Sequence, residues 1–199
     1  MPSFLQRLIA LIAMLLFAPI FLLSILIIIF SDGFPFMFSQ KRIGKNGEEF
    51  SCFKFRTMLK NSEEILKTDK ELMKIYIDND YKVPEELETR YTSYGLFFRK
   101  YSIDEIPQFL NVLFGDMNLV GPRPIVPDEI EHYVGKKRED FLSVKPGITG
   151  LWQVSGRSNI DYPERVDFEL KYIEKRSLFF DKKILFQTIF VVLGKKGAH

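Results

Sequence analysis

A chain of 199 residues with 46% apolar and 15% aromatic residues can build one packed domain, which excludes a disordered polymer. A formal charge of only +2 excludes the strongly basic footprint of a nucleic-acid binder. One cysteine, Cys52, and two histidines, His132 and His199, exclude a disulfide framework and a zinc cluster, and a reducing compartment fits best.

Residues 8–30 carry no charge, and at about 1.5 Å of rise each these 23 residues reach roughly 34 Å, enough to cross a bilayer. The run exceeds the apolar core of a signal peptide and no small-residue cleavage site follows it. Pro19 stands at its midpoint, after Ala18, where it removes a hydrogen bond to the Leu15 carbonyl and predicts a kink. Two arms of about 11 residues would suit a hairpin that enters one leaflet and returns. A single-pass helix with a tolerated proline stands equally open. Lys41, Arg42 and Lys45 place the following domain in the cytoplasm either way, and lone Arg7 favours the same side for the N-terminus. Residues 1–35 are therefore read as a membrane element, and 36–199 as a cytoplasmic, membrane-associated domain.

After Gly33-Phe34-Pro35, residues 36–39 and 50–58 read as two short strands joined through Gly44-Lys45-Asn46-Gly47, a hairpin turn signal. Alternation in the second strand puts Lys54 and Arg56 on one face, where they could present two cations to one anion. Lys41, Arg42, Lys45 and Lys60 extend this basic stretch, as a membrane-surface or phosphate-handling segment would. Residues 60–90 read as a solvated helical insertion, with Pro84-Glu85-Glu86 as a second start signal. A helix is expected over 102–113, with Ser102-Ile103-Asp104-Glu105 as a capping box and Gly115 as its stop. Another is expected over 127–142, with acids early and Lys136, Lys137 and Arg138 late, as the helix dipole prefers. Helices at 162–175 and 182–193 complete an α+β chain, the last apolar over much of its surface and placed on the membrane interface.

Chemistry concentrates around Asp104 and Glu105. Adjacent acids in a first helical turn also serve the dipole, so their neighbours decide the reading. Lys54, Arg56, Arg99 and Arg123 flank them in sequence, and phosphoryl transfer depends on positioning and on neutralising charge. Two neighbouring carboxylates also favour Mg²⁺, which would relieve their repulsion. Gly121-Pro122-Arg123-Pro124 stiffens the backbone on both sides of an arginine, although a plain rigid turn remains an alternative. Gln153 and Arg157 follow the glycine-rich Pro146–Gly150 stretch and could grip a nucleotide or pyrophosphate, with Trp152 assigned to the core.

Nearly the whole chain resembles the bacterial sugar transferases, the monotopic phosphoglycosyl transferases that begin assembly of cell-surface glycans. The resemblance rests on Gln40-Lys41-Arg42-Ile43-Gly44, Lys54-Phe55-Arg56-Thr57-Met58, Ser102-Ile103-Asp104-Glu105-Ile106-Pro107-Gln108, Gly115-Asp116-Met117, Gly121-Pro122-Arg123-Pro124 and Lys145-Pro146-Gly147-Ile148-Thr149-Gly150, in that order. It implies a re-entrant membrane helix broken at Pro19, with helices lying on the bacterial cytoplasmic membrane around a small sheet. It implies a ping-pong reaction in which Asp104 attacks the sugar-bearing phosphate of a UDP-sugar, UMP leaves, and polyprenyl (undecaprenyl) phosphate takes up the phosphosugar. Glu105 would be metal ligand or base beside Asp104, Mg²⁺ the cofactor, and Lys54, Arg56, Thr57, Arg99, Arg123, Gln153 and Arg157 the phosphate and nucleotide contacts. This chain departs from the family pattern at Ala18, usually serine, at Glu88-Thr89 before Arg90, usually Asp-Pro, and at Glu169, more often aspartate. The last two are expected to stand away from the reaction centre. Without the extra transmembrane helices of longer relatives, the chain reads as a minimal catalytic form. A homodimer is compatible with the sequence but not dictated by it. Two other classes compete: a membrane-bound Mg²⁺-dependent phosphohydrolase of nucleotide or lipid diphosphates, and a noncatalytic scaffold in which the acids only cap a helix.

Overall fold

The computed structural model describes residues 1–79 and 83–194, so residues 80–82 of the expected insertion and His199 lie outside the described residues. A single apolar helix, α1 (Ser3–Asp32), opens the chain and continues through Pro19. It is long and apolar enough to cross a membrane, and only 11% of its most apolar window is buried. Its buried residues, Gln6, Ala10, Ser24 and Ile28, come in pairs four apart, the spacing of one helical face. Gln6 docks the N-terminal end: its amide oxygen accepts from Leu119 N–H at 2.8 Å, and its amide nitrogen donates to Asn118 Oδ1 at 3.2 Å. At the other end Ile28 packs with Phe55, Tyr94 and Phe98.

The expected hairpin forms. Strands β1 (Met37–Ile43) and β2 (Glu49–Phe55) pair antiparallel, Met37 opposite Phe55 and Ile43 opposite Glu49. Asn46 takes a left-handed conformation (φ 59°) at the turn, as an asparagine before glycine does readily. The insertion holds α2 (Ser62–Thr68) and α3 (Lys70–Asp78), and Asp69 Oδ1 caps α3 by accepting from Glu71 N–H and Leu72 N–H at 3.0 and 2.9 Å. Pro84-Glu85-Glu86 starts only a 3₁₀ turn, Glu85–Leu87.

Residues 102–113 do not form one helix capped by Ser102. After α4 (Gly95–Lys100), Ser102 sits at φ 55° with no side-chain cap, Ile103–Glu105 form a 3₁₀ turn, and α5 (Gln108–Phe114) follows Pro107. Pro107 has no N–H to give to an α-helical ladder from the Asp-Glu turn, so the longer helix starts after it. Gly115 does stop α5, at φ 94°. Residues 127–142 break as well, into a 3₁₀ helix, Pro127–His132, and α6 (Lys136–Leu142). Tyr133 turns into the core, its ring centroid 4.1 Å from that of Phe141, and Gly135 takes φ 55°. Lys136 and Lys137 thus begin a helix instead of ending one, against the dipole, and Lys137 is offset by Asp167 at 3.1 Å.

Two three-residue strands, β3 (Asn118–Val120) and β4 (Gly147–Thr149), pair in parallel, a feature too short to announce itself in periodicity. A Cβ on Gly121 would lie 2.7 Å from both the Gly147 nitrogen and the Lys145 carbonyl oxygen, so that crossing requires glycine. Helices α7 (Leu151–Ser155), α8 (Glu164–Lys175) and α9 (Leu178–Gly194) close the fold. Thr188 meets Thr149 hydroxyl to hydroxyl at 2.8 Å, and the Tyr172 hydroxyl lies 3.0 Å from the Val120 carbonyl while it donates to Asp181 Oδ1 at 2.9 Å. The main core joins α1, α5, β3, α8 and α9 through Ala10, Val112, Leu119, Val120, Tyr172 and Ile184. Phe179, Phe186, Ile189, Phe190 and Leu193 of α9 remain exposed.

Candidate active site

Asp104 is only 5% exposed and lies in the 3₁₀ turn between α4 and α5, across from the end of β2. Lys54 reaches it from that strand: its ammonium is 3.1 Å from Glu105 Oε1 and 3.9 Å from Asp104 Oδ2. Arg123 Nη1 approaches Glu105 Oε1 to 3.5 Å from the loop between β3 and α6. Burial alone would raise the pKa of Glu105, but Lys54, Arg123 and Arg157 outweigh it and hold the carboxyl down to about 2. For Asp104 burial wins and moves the pKa up, with Lys54 the strongest opposing influence and the Glu105 charge adding to the rise. One carboxylate is thus locked as an anion, while its neighbour is the more basic and less compensated of the two.

The remaining cations approach from two directions. Arg99 is gripped by the Tyr91 hydroxyl at 2.6 Å and stacks over that ring at 5.1 Å; burial opposes its charge, but Tyr91 and Asp104 together raise its pKa. Arg157 donates through Nη2 to Ser102 Oγ at 2.8 Å, while its Nη1 is buried without a partner among the described residues. Ser102 and Arg157 are both left-handed, at φ 55° and φ 52°. Two strained residues bonded to one another pin the Asp-Glu turn to the segment after α7, which is the work the Ser102 hydroxyl does in place of capping. Gln153 is buried with both amide atoms unpartnered among the described residues, and a buried amide without partners favours a ligand or water beside it.

Arg56 and Thr57 go elsewhere. The β2 ladder ends at Phe55, and the Arg56 guanidinium turns to the C-terminal end of α1, bonding the Asp32 carboxylate and the Gly33 and Pro35 carbonyls, the last two at 2.6 and 2.7 Å. Those oxygen acceptors, gathered where α1 exposes its last carbonyls, outcompete the alternation that would have paired it with Lys54. Thr57 is buried, with its carbonyl accepting from Thr92 N–H at 3.0 Å.

Behind Arg123 lies a polar network that sequence reasoning missed. Glu169 Oε1 accepts from the Arg123 backbone N–H at 3.1 Å, so this departure from the family pattern lies one residue from the constellation, not away from it. Arg165 Nη1 donates to Glu129 Oε1 at 3.0 Å and stacks over Trp152 at 4.5 Å, while Arg123 lies over the same indole at 5.6 Å. Arg42 adds a bond to the Pro124 carbonyl at 3.1 Å and lies 3.6 Å from Glu129. Arg165 and Glu169 stand four apart on α8, a spacing from which their pairing was readable. Burial pushes the Glu169 carboxyl up to about 7 against the opposing charge of Arg165. Because the folded-state pKa exceeds the unfolded value of 4.5, its contribution to stability is complete below pH 4.5 and lost as pH rises through about 7. Relative to a Glu169→Gln variant, which cannot titrate, the wild-type protein is therefore expected to lose up to about 3 kcal/mol across that window, measured as a pH-dependent difference in thermal unfolding.

The sequence profile of bacterial sugar transferases matches residues 1–195. The chain belongs to this family. Among its relatives, an uncharacterized sugar transferase of Haemophilus influenzae is 46% identical over 191 residues, covering 94% of this chain and 40% of that protein. The exopolysaccharide production protein ExoY of Rhizobium meliloti is 42% identical over 192 residues, covering 94% of this chain and 83% of ExoY. An undecaprenyl-phosphate galactose phosphotransferase of Salmonella typhimurium is 46% identical over 171 residues, 84% of this chain and 35% of that protein. The chain therefore spans well under half of two of these relatives and most of ExoY.

The donor set of this site suits a magnesium ion. Asp104 and Glu105 offer hard carboxylate oxygens, and Mg²⁺ commonly takes only one or two protein carboxylates beside water and substrate phosphates. Among the described residues no cluster of three or more acidic, histidine or cysteine side chains could hold a metal unaided.

Proposed function

We propose that the chain transfers a sugar phosphate from a UDP-sugar to polyprenyl phosphate at the cytoplasmic face of the bacterial membrane, through a covalent phosphosugar on Asp104. The observation that carries this reading is a buried Asp104 beside an anionic Glu105, surrounded by Lys54, Arg99, Arg123 and Arg157. A carboxylate oxygen of Asp104 attacks the phosphorus that bears the sugar; the bond to the bridging oxygen breaks, and UMP leaves with that electron pair. An oxygen of polyprenyl phosphate then attacks the same phosphorus and breaks its bond to Asp104, giving the polyprenyl diphosphate sugar and restoring the carboxylate. Lys54 and Arg123 offset the charge that gathers on the phosphoryl oxygens, and the unpartnered Nη1 of Arg157 and amide of Gln153 supply bonds for the leaving nucleotide. Mg²⁺, held by Asp104 and Glu105, would supply further neutralisation of the diphosphate.

The acceptor comes from the names of relatives, an undecaprenyl-phosphate galactose phosphotransferase and a UDP-galactose-lipid carrier transferase. The re-entrant path of α1 is supported by its two ends: Gln6 bonds β3 while Asp32 bonds Arg56, so one domain holds both ends and a helix leaving by the far face of the bilayer would have to abandon one of them. Purified protein in detergent is expected to release about one UMP per chain from the correct UDP-sugar, then stall until polyprenyl phosphate is added. Continuous UMP release without acceptor would replace the transferase by the phosphohydrolase.

A further inference from the structure

A recess of about 280 Å³ lies between the start of α1, strand β3 and the corner joining α8 to α9, lined in part by Asn118, Lys145, Tyr172, Arg176, Ser177 and Asp181. None of its lining residues belongs to the Asp104 constellation. Its charges do not cancel. Asp181 is already engaged, by the Met1 amine at 3.0 Å and by the Tyr172 hydroxyl at 2.9 Å. Lys145 donates to the Gly115 carbonyl, a neutral acceptor, and has no ion pair among the described residues. Arg176 lines the recess, is exposed, and has no ion pair among the described residues. An ammonium, a planar guanidinium fork and the hydroxyl of Ser177 form a donor set matched to phosphate oxygens.

The surroundings say which phosphate. Phe4, on the first turn of α1, is 78% exposed, and Phe179, beside the lining residue Leu178, is 81% exposed. Large exposed apolar side chains on both sides of a cationic recess suit a protein surface set into lipid, with the recess at headgroup depth. The volume also leaves room beyond one phosphate group for the glyceryl part of a lipid. We propose that this recess is a second anion site, separate from the catalytic centre, that takes the phosphate ester of an anionic membrane lipid headgroup and fixes the start of α1 and of α9 at the membrane surface.

The full chain released from micelles containing equal amounts of a phosphatidylglycerol and a phosphatidylcholine would be weighed by native mass spectrometry, with inorganic phosphate in a parallel arm. One phosphatidylglycerol is expected to be retained per chain in preference to phosphatidylcholine, and Arg176→Gln is expected to reduce that retention about tenfold. Arg176 is exposed, so this variant leaves the core intact; Lys145→Gln is expected to act in the same direction. An Asp104→Asn chain should retain the lipid as the wild type does, which separates this site from the proposed acceptor site. Equal retention of the two lipids, unchanged retention by Arg176→Gln, or uptake of inorganic phosphate without preference for the anionic lipid would each overturn the assignment.

Discussion

An Asp104→Asn variant is expected to release no stoichiometric burst of UMP and to turn over at least about 10³-fold more slowly than the wild type. The amide keeps the shape of the side chain and replaces the anionic carboxylate, one oxygen of which attacks phosphorus, by a neutral group that is a poor nucleophile. It also separates catalysis from stability. Burial opposes the charge on Asp104, so a neutral isostere is expected to hold or raise the thermal midpoint while activity collapses. Lys54 is not orphaned by the change, because Glu105 remains 3.1 Å away and ionised. The measurement is UMP release in the first turnover beside thermal unfolding of the same preparations. Near-native turnover in a well-folded variant would remove Asp104 as the attacking group, and a lowered midpoint would return it to the structural role the scaffold reading gave it.

What the sequence disclosed about this site was mostly local. Gly44 to Gly47 specify their turn within four residues and Gly115 ends α5 by its own backbone freedom, so both were readable without a fold. The meeting of Lys54, Asp104, Glu105 and Arg123 was readable because charge and motif order pointed the same way. Arg56 was not, since the acceptors that claim it are carbonyls at the end of a helix more than twenty residues earlier, and a backbone oxygen leaves no trace in sequence. Ser102 carries the signature of a helix cap, yet the competing partner is Arg157, whose approach depends on how residues 151–159 pack. The break at Tyr133 had the same origin: burial of one ring against Phe141 outweighed the propensity for a continuous helix. Trp152 was read as core, and it is buried, but its faces hold two guanidinium groups that no spacing rule announced.

Those guanidinium groups give the second large effect. Arg165→Met is expected to cost roughly 3–5 kcal/mol at neutral pH, because a buried cation is removed from between two buried carboxylates. Arg165 also lies over the Tyr162 ring at 4.9 Å; methionine replaces much of the volume and can still lie on Trp152 and Tyr162, so lost packing contributes little. The electrostatic damage is unequal. Glu129 keeps the Val126 N–H at 2.9 Å and Arg42 at 3.6 Å, whereas among the described residues Glu169 keeps the Arg123 backbone N–H alone, at 3.1 Å. With the opposing charge of Arg165 gone, the Glu169 carboxyl rises further above 7 and folds as the neutral acid. The deficit is therefore expected to shrink as pH falls toward 4.5, where Glu169 is protonated even in the unfolded chain, and an added Glu169→Gln should recover part of it at neutral pH. A double-mutant cycle by chemical denaturation at two pH values measures both expectations. Additive losses independent of pH would mean that Arg165 serves as a spacer between Trp152 and Tyr162 and that its charge does not organise the network behind Arg123.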